Sequence, residues 1–137
     1  MALVYGPGLA LYLYPGELLK FGASHTLPAD EAVTAEHYFL CLRADAREGL
    51  WTPLHVTRGM DRMPIPDSAK AGHPRFTQGI SWYSTADLWR IPHKAIQRSS
   101  QMAGDKSTEK TPNRVAPGWI PERALFPAQV PDRPAAG

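Results

Sequence analysis

His37-Tyr-Phe-Leu-Cys-Leu-Arg43, a polar Ala-Asp-Ala-Arg-Glu48, and then Gly49-Leu-Trp-Thr-Pro-Leu-His-Val-Thr57 form the run whose reading decides the fold class. From His37 to Leu42 the residues are aromatic, aliphatic or thiol, the composition that fits a pleated, packed strand. Side chains alternate across a strand, so Phe39 and Cys41 share one face and Tyr38, Leu40 and Leu42 the other. Both faces are apolar, and such a strand is covered on both sides. The polar stretch before Gly49 suits a connection of about four to six residues. The return strand then sets Leu50, Thr52, Leu54 and Val56 against one face, and Trp51, Pro53 and His55 against the other. Pro53 has no N–H for a ladder, so an open side or a bulge is expected there.

On the N-terminal side, Leu9 to Tyr14 alternates leucine with small or aromatic residues and reads as a strand. Pro15-Gly16 reads as a turn, and Glu17 to Ala23 as a second strand able to bend at Gly22. Ser24 to Glu36 is polar and reads as an exposed loop. Beyond the hairpin, Arg58 to Thr77 reads as a long surface loop in which basic groups alternate with Met60, Met63, Ile65 and Phe76. Gly79 to Ser84 and Asp87 to Ile91 read as short strands, and Pro92 opens a helix over His93 to Met102. The expected architecture is mainly β: a small SH3-like barrel or roll over residues 1–103, with one short helix. Residues 104–137 follow as an extended proline-rich tail. Its anchors are Trp119, Ile120, Leu125 and Phe126, which pack on the domain itself or on a partner.

The chain has 137 residues, enough for one domain with a real core, and its 14 prolines are about twice the usual share, which argues against a helical bundle. Its one cysteine, Cys41, excludes an internal disulfide and fits a reducing compartment; inside an apolar strand it reads as a packing thiol. The uncharged first 16 residues are cut by Gly6-Pro7-Gly8 and Pro15-Gly16, too short for the roughly 20 apolar residues of a membrane span. A soluble protein, cytoplasmic or part of an assembly formed in the cytoplasm, is the expectation. Charge is unevenly laid out. Residues 1–57 carry three basic against six acidic groups, and residues 58–98 seven against three. An acidic half beside a basic middle suits a polyanion-binding face, two surfaces that complement each other, or a partner of mixed charge.

No phosphate loop, HExxH, Cys-x-x-Cys or G-x-S-x-G occurs. The histidines, His25, His37, His55, His73 and His93, are too widely and evenly spaced for a sequence-level metal motif, so neither metal nor cofactor is expected. The constellation that stands out is Arg58, Arg62, Lys70, His73 and Arg75, followed by Trp82 and Tyr83. Cations beside aromatics supply phosphate contact and base stacking for nucleic acid. The same residues also read as a solvated loop over a core.

The order of strand, loop, central hairpin and basic loop, followed by Ser81-Trp-Tyr-Ser-Thr-Ala-Asp-Leu-Trp-Arg-Ile-Pro-His-Lys-Ala-Ile96, resembles the MazF/PemK-type toxins over roughly residues 15–98. Pro15-Gly-Glu-Leu-Leu-Lys20 is similar to that family's opening strand. The resemblance implies an SH3-like barrel and RNA cleavage. Where the family carries an arginine-proline pair before its central strand, this chain has Glu36-His37; His37, Arg62 and His73 would then be the acid, base or phosphate-stabilising groups. The reading taken forward is a small non-enzymatic interaction protein. It docks on a protein partner or self-assembles, as a phage-encoded structural component or a host inhibitor would. A nucleic-acid-binding barrel or toxin-type endoribonuclease using residues 58–76 is the alternative.

Overall fold

A computed structural model describes residues 5–28, 30–59, 62–84, 86–106 and 111–120. In chain order these form β1 (Leu9–Leu13), α1 (Pro15–Lys20), β2 (Ser24–His25), β3 (His37–Ala44), β4 (Glu48–Pro53), β5 (Met63–Ile65), β6 (Lys70–Ala71), α2 (Pro74–Thr77), β7 (Ser81–Tyr83), β8 (Trp89–Pro92), α3 (His93–Ala103) and β9 (Asn113–Val115). Short 3₁₀ turns lie at Asp67–Ala69 and Pro117–Trp119. The molecule is mainly β. Seven strands pair antiparallel in the order β2-β8-β4-β3-β1-β9-β6, and β5 pairs with β7 in a separate ribbon. The large sheet does not close on itself among the described residues, so it is an open sheet rather than a sealed barrel.

The central hairpin forms in the register that alternation requires, with Phe39 opposite Pro53 and Cys41 opposite Trp51. A bulge falls between Cys41 and Arg43. The ladder to β8 ends at Trp51–Trp89, two residues before Pro53. Among the described residues Pro53 therefore has no ladder partner on the side where its N–H is missing, which is how a proline is accommodated in a strand at the centre of the sheet.

Both faces of the sheet are covered. On one, Leu9, Leu11, Leu13, Phe39, Cys41, Trp51, Trp89 and Ile91 pack against Leu18 of α1 and Ala95 and Ile96 of α3. On the other, Ala10, Leu40, Leu42, Leu50 and Leu54 pack against Ile65 and Tyr83 of the ribbon, Phe76 of α2, and Val115. The two clusters separate as the sequence alternation divides them.

Residues 17–23 do not form the strand expected of them; Pro15–Lys20 is a helix. Pro15 occupies its first turn, Glu17 sits at the positive end of its dipole and Lys20 at the negative end. Leu18 and Leu19 both reach the same core cluster, which neighbours on a helix can do and neighbours on a strand cannot. The single helix expected after Pro92 is thus one of three among the described residues, and the loop read over 58–77 holds β5, β6 and α2.

The segment after Gly104 contributes a strand to the sheet. β9 lies between β1 and β6, with Leu9 opposite Arg114 and Lys70 opposite Val115. Two glycines permit it. Gly8 (φ 92°) lies where a Cβ would come within 2.7 Å of the Val115 carbonyl oxygen. Gly72 (φ 129°) lies where a Cβ would come within 2.7 Å of Asn113 Cα. β9 covers β1 only at Leu9 and Ala10. Farther along that edge side chains finish the ladder: Asp105 Oδ1 accepts from Tyr12 N–H at 2.7 Å, and the Ser99 hydroxyl accepts from Tyr14 N–H at 2.7 Å while donating to Tyr14 O at 2.8 Å.

Candidate functional site

Where the sheet runs out from under the ribbon, an open groove of about 300 Å³ is lined by Tyr38, Val56, Arg75, Phe76, Ser81 and Trp82, together with residues 78–80. Each wall has a local cause. Tyr38 stands on β3 directly across from Tyr12 of β1, their rings 4.9 Å apart, and its ring also meets Phe76 at 5.2 Å. Phe76 and Arg75 are carried by α2, a single turn started by Pro74 and capped by His73, whose Nδ1 accepts from the Arg75 N–H at 3.1 Å. The Arg75 guanidinium lies over the Tyr12 ring, 4.3 Å from its centroid. Trp82 is held between two extended segments: it pairs with Pro64 of β5, and it exchanges backbone hydrogen bonds of 2.7 and 2.8 Å with His55.

The loop that closes the groove is tied down by Lys70. Its side chain is wholly buried, and Nζ donates to the Gly79 carbonyl at 2.5 Å and to Ser81 Oγ at 3.1 Å, with Asp67 at 3.7 Å. Burial lowers the Lys70 pKa, and Asp67 opposes that shift. Asp67 also accepts from the Gly79 N–H. Lys70 is accordingly a structural cation beneath the groove and offers no charge to a ligand.

The groove is apolar and aromatic with one guanidinium at its side. Val56 is 91% exposed and Ile80 49%, whereas Ile65, Ile91, Ile96 and Val115 are buried in the core. The Tyr38 hydroxyl is shielded from solvent and has no hydrogen-bond partner among the described residues. Desolvation raises its pKa, with Arg75 acting in the opposite direction, so it stands as a neutral donor in the groove wall.

A second cluster lies on the other face of the same hairpin. His37 and His55 meet edge to face with ring centroids 5.3 Å apart. His37 Nδ1 contacts the Ala35 carbonyl at 3.0 Å. Burial, Arg62 and His37 together push the His55 pKa down to about 4, leaving a neutral imidazole at pH 7. Arg62 is positioned by donating to Thr57 O at 3.1 Å and Thr57 Oγ1 at 3.3 Å.

Of the residues singled out in the sequence, Arg75 and Trp82 come together in the groove, and His73 supports them as the cap of α2. Lys70 and Tyr83 are buried and build the core beneath. Arg58 is exposed just past Val56. His37 and Arg62 do meet, but around His55; His73 is engaged at α2 instead. Trp119 is 41% exposed, whereas Ile120 packs on the ribbon-side core; Leu125 and Phe126 lie outside the described residues. Tyr38, Val56 and Ile80 were not picked out as site residues, and neither was His55. The signal for His55 was present, because extending the Phe39–Pro53 register by two residues sets His37 opposite His55. Among the described residues no three His, Cys, Asp or Glu side chains converge as a metal site, and no helix is long and apolar enough to cross a membrane. Cys41 is buried and its thiol pKa is pushed up to about 12 by that burial, which makes it a packing group.

The chain matches no protein-family model, no curated protein and no solved structure.

Proposed function

We propose that this protein is a non-enzymatic interaction domain whose groove receives an extended, apolar segment of a protein partner. The observation that carries this reading is the exposure of Val56 and Ile80 along a groove walled by Tyr38, Phe76 and Trp82. Apolar surface held open beside fixed aromatic rings is stabilised when a partner covers it, at about 25 cal/mol per Å². Rigid aromatic walls with one polar donor suit a peptide in extended or polyproline conformation, its side chains filling the groove and a backbone carbonyl reaching the Tyr38 hydroxyl. Nucleic acid is less well served at this place. A strand of phosphates needs a row of free cations, and of the basic loop only Arg75 lines the groove while Lys70 is spent on Gly79, Ser81 and Asp67.

Selection of random peptides displayed on phage against the purified protein tests the reading. Peptides enriched on the wild type should bind at least about tenfold more weakly to Val56→Asp and Ile80→Asp, exposed positions where a polar residue leaves stability within about 0.5 kcal/mol. Enrichment that ignores both substitutions would refute it.

The His37–His55 pair favours a second reading, phosphodiester cleavage on the opposite face. A neutral His55 would serve as base, His37 as acid and Arg62 as the stabiliser of the charged transition state. A labelled mixed-sequence single-stranded RNA, incubated across a salt series and run on a gel, reports binding and cutting together. Cleavage that is lost in His55→Gln and His37→Gln would support this reading, and uncut RNA at low salt would dismiss it.

A further inference from the structure

Given a peptide-binding groove, we infer that its occupant in the free protein is the chain's own C-terminal segment, residues 121–137. Three observations support this. The first is position. The segment leaves the described fold at Ile120, which packs on the same core cluster as Phe76 of the groove. Just before it, Ala116 N–H donates to the Ala69 carbonyl, and the next residue, Lys70, is the one that anchors Gly79 and Ser81 in the groove wall. The point of departure is therefore tied to the element that builds the site, and 17 further residues at up to about 3.3 Å each give the segment a reach of up to roughly 55 Å.

The second is chemistry. Pro121-Glu-Arg-Ala-Leu-Phe-Pro-Ala-Gln-Val-Pro-Asp132 places Leu125, Phe126 and Val130 between prolines. Prolines favour the extended conformation that an aromatic groove accepts, and they reduce the conformational freedom lost on docking. Asp132 is a carboxylate of the sign that would complement Arg75, the guanidinium at the groove side. The third is the state of the groove itself. Val56 is open to water, Ile80 is half-open, and the Tyr38 hydroxyl is without a partner, so the described residues alone leave apolar surface and a buried donor uncompensated. A peptide backbone in the groove answers both.

Held in cis, the segment acts at an effective concentration of about 1 mM, so an intrinsic dissociation constant of about 0.1 mM fills the groove roughly nine-tenths of the time and weakens a competing partner peptide about tenfold. The segment is then a built-in competitor that a stronger ligand displaces.

The full-length protein, isotope-labelled for NMR, provides the test through the Trp82 indole and the Val56 and Ile80 amides. Phe126→Asp should shift these signals, and synthetic peptide 121–137 added to that variant should move them back toward the wild-type positions. Asp132→Asn should give a smaller change in the same direction. The wild-type signals should stay constant on dilution from about 1 mM to 20 μM, as intramolecular docking requires. Groove signals untouched by Phe126→Asp would overturn the inference, and signals that move on dilution would assign the occupant to a second copy instead. Phage-selected peptides that bind wild type and Phe126→Asp equally would refute the tail while leaving the groove reading intact. Failure of any peptide to bind either protein would strike at the groove reading itself.

Discussion

His55 and Asp87 are two partly desolvated groups whose titrations pull stability in opposite directions. His55 is held down to about 4 from an ordinary 6.5 by burial, Arg62 and His37. Between those values the unfolded chain binds a proton that the folded chain does not, so His55 makes stability fall as pH drops through that window. Asp87 is pushed up to about 6 from 3.8 by burial, only partly offset by Trp89. In its window the folded chain keeps a proton that the unfolded chain has released, so Asp87 makes stability fall as pH rises, and its ionised carboxylate opposes folding at neutral pH. The two slopes overlap between about pH 4 and 6 and cancel in part. Removing either exposes the other. In His55→Gln the urea midpoint should decline as pH rises from 4 to 6. In Asp87→Asn it should climb with pH up to about 6.5 and exceed that of the wild type at pH 7. Midpoints at pH 4, 5, 6 and 7 for the three proteins decide this, and parallel profiles would show that neither shift exists.

At the scale of elements, the edge of β1 depends on two side chains from the end of α3 and the turn that follows it. Ser99 is fully buried and its hydroxyl satisfies both the N–H and the carbonyl of Tyr14. Ser99→Ala strands those two groups beneath α3 and should cost about 1–3 kcal/mol. Hydrogen exchange at the Tyr14 amide should speed accordingly, and an unchanged rate would mean that water reaches this edge. Elements carried by alternation were legible in the sequence. The hairpin is the clearest, because a run covered on both faces still separates Phe39 and Cys41 from Leu40 and Leu42 by parity alone. α1 is a helix where the sequence reads as turn and strand, although Pro15, Glu17 and Lys20 are start and stop signals. Six residues give too little periodicity to tell a helix from a strand, and what fixes the choice is the packing of Leu18 and Leu19 against α3 and the sheet. The groove was half legible for a similar reason. Arg75, Ile80 and Trp82 stand near each other in sequence, whereas Tyr38 on β3 and Val56 beyond the end of β4 meet them only because α2 and the ribbon fold over one end of β3.

For the whole molecule, the question is where the domain ends. Composition breaks at Gly104, where a glycine is followed by a polar, charged run, and on that basis residues 104–137 read as a tail. Pairing continues past the break. β9 fills the space between β1 and β6, Asn113 and Val115 are buried, and Asn113 Oδ1 accepts from the His73 N–H that leads into α2. Gly8 and Gly72 are placed so that this strand can approach from both sides. A polar linker therefore interrupts the sequence pattern without interrupting the fold, because three residues of strand are too short to announce themselves by alternation. Two truncations separate the boundary at 103 from one after β9. A chain ending at Ile120 keeps every described element and should unfold cooperatively, with dispersed amide signals. A chain ending at Ala103 loses β9 and the Asp105 bond to Tyr12 together. It leaves the facing edges of β1 and β6 unpaired and removes the contact that orders the start of α2, so it should lose the cooperative transition, and the groove with it. Cooperative unfolding of the shorter chain, with the Trp82 indole signal unmoved, would return the boundary to residue 103 and leave β9 as an accessory strand.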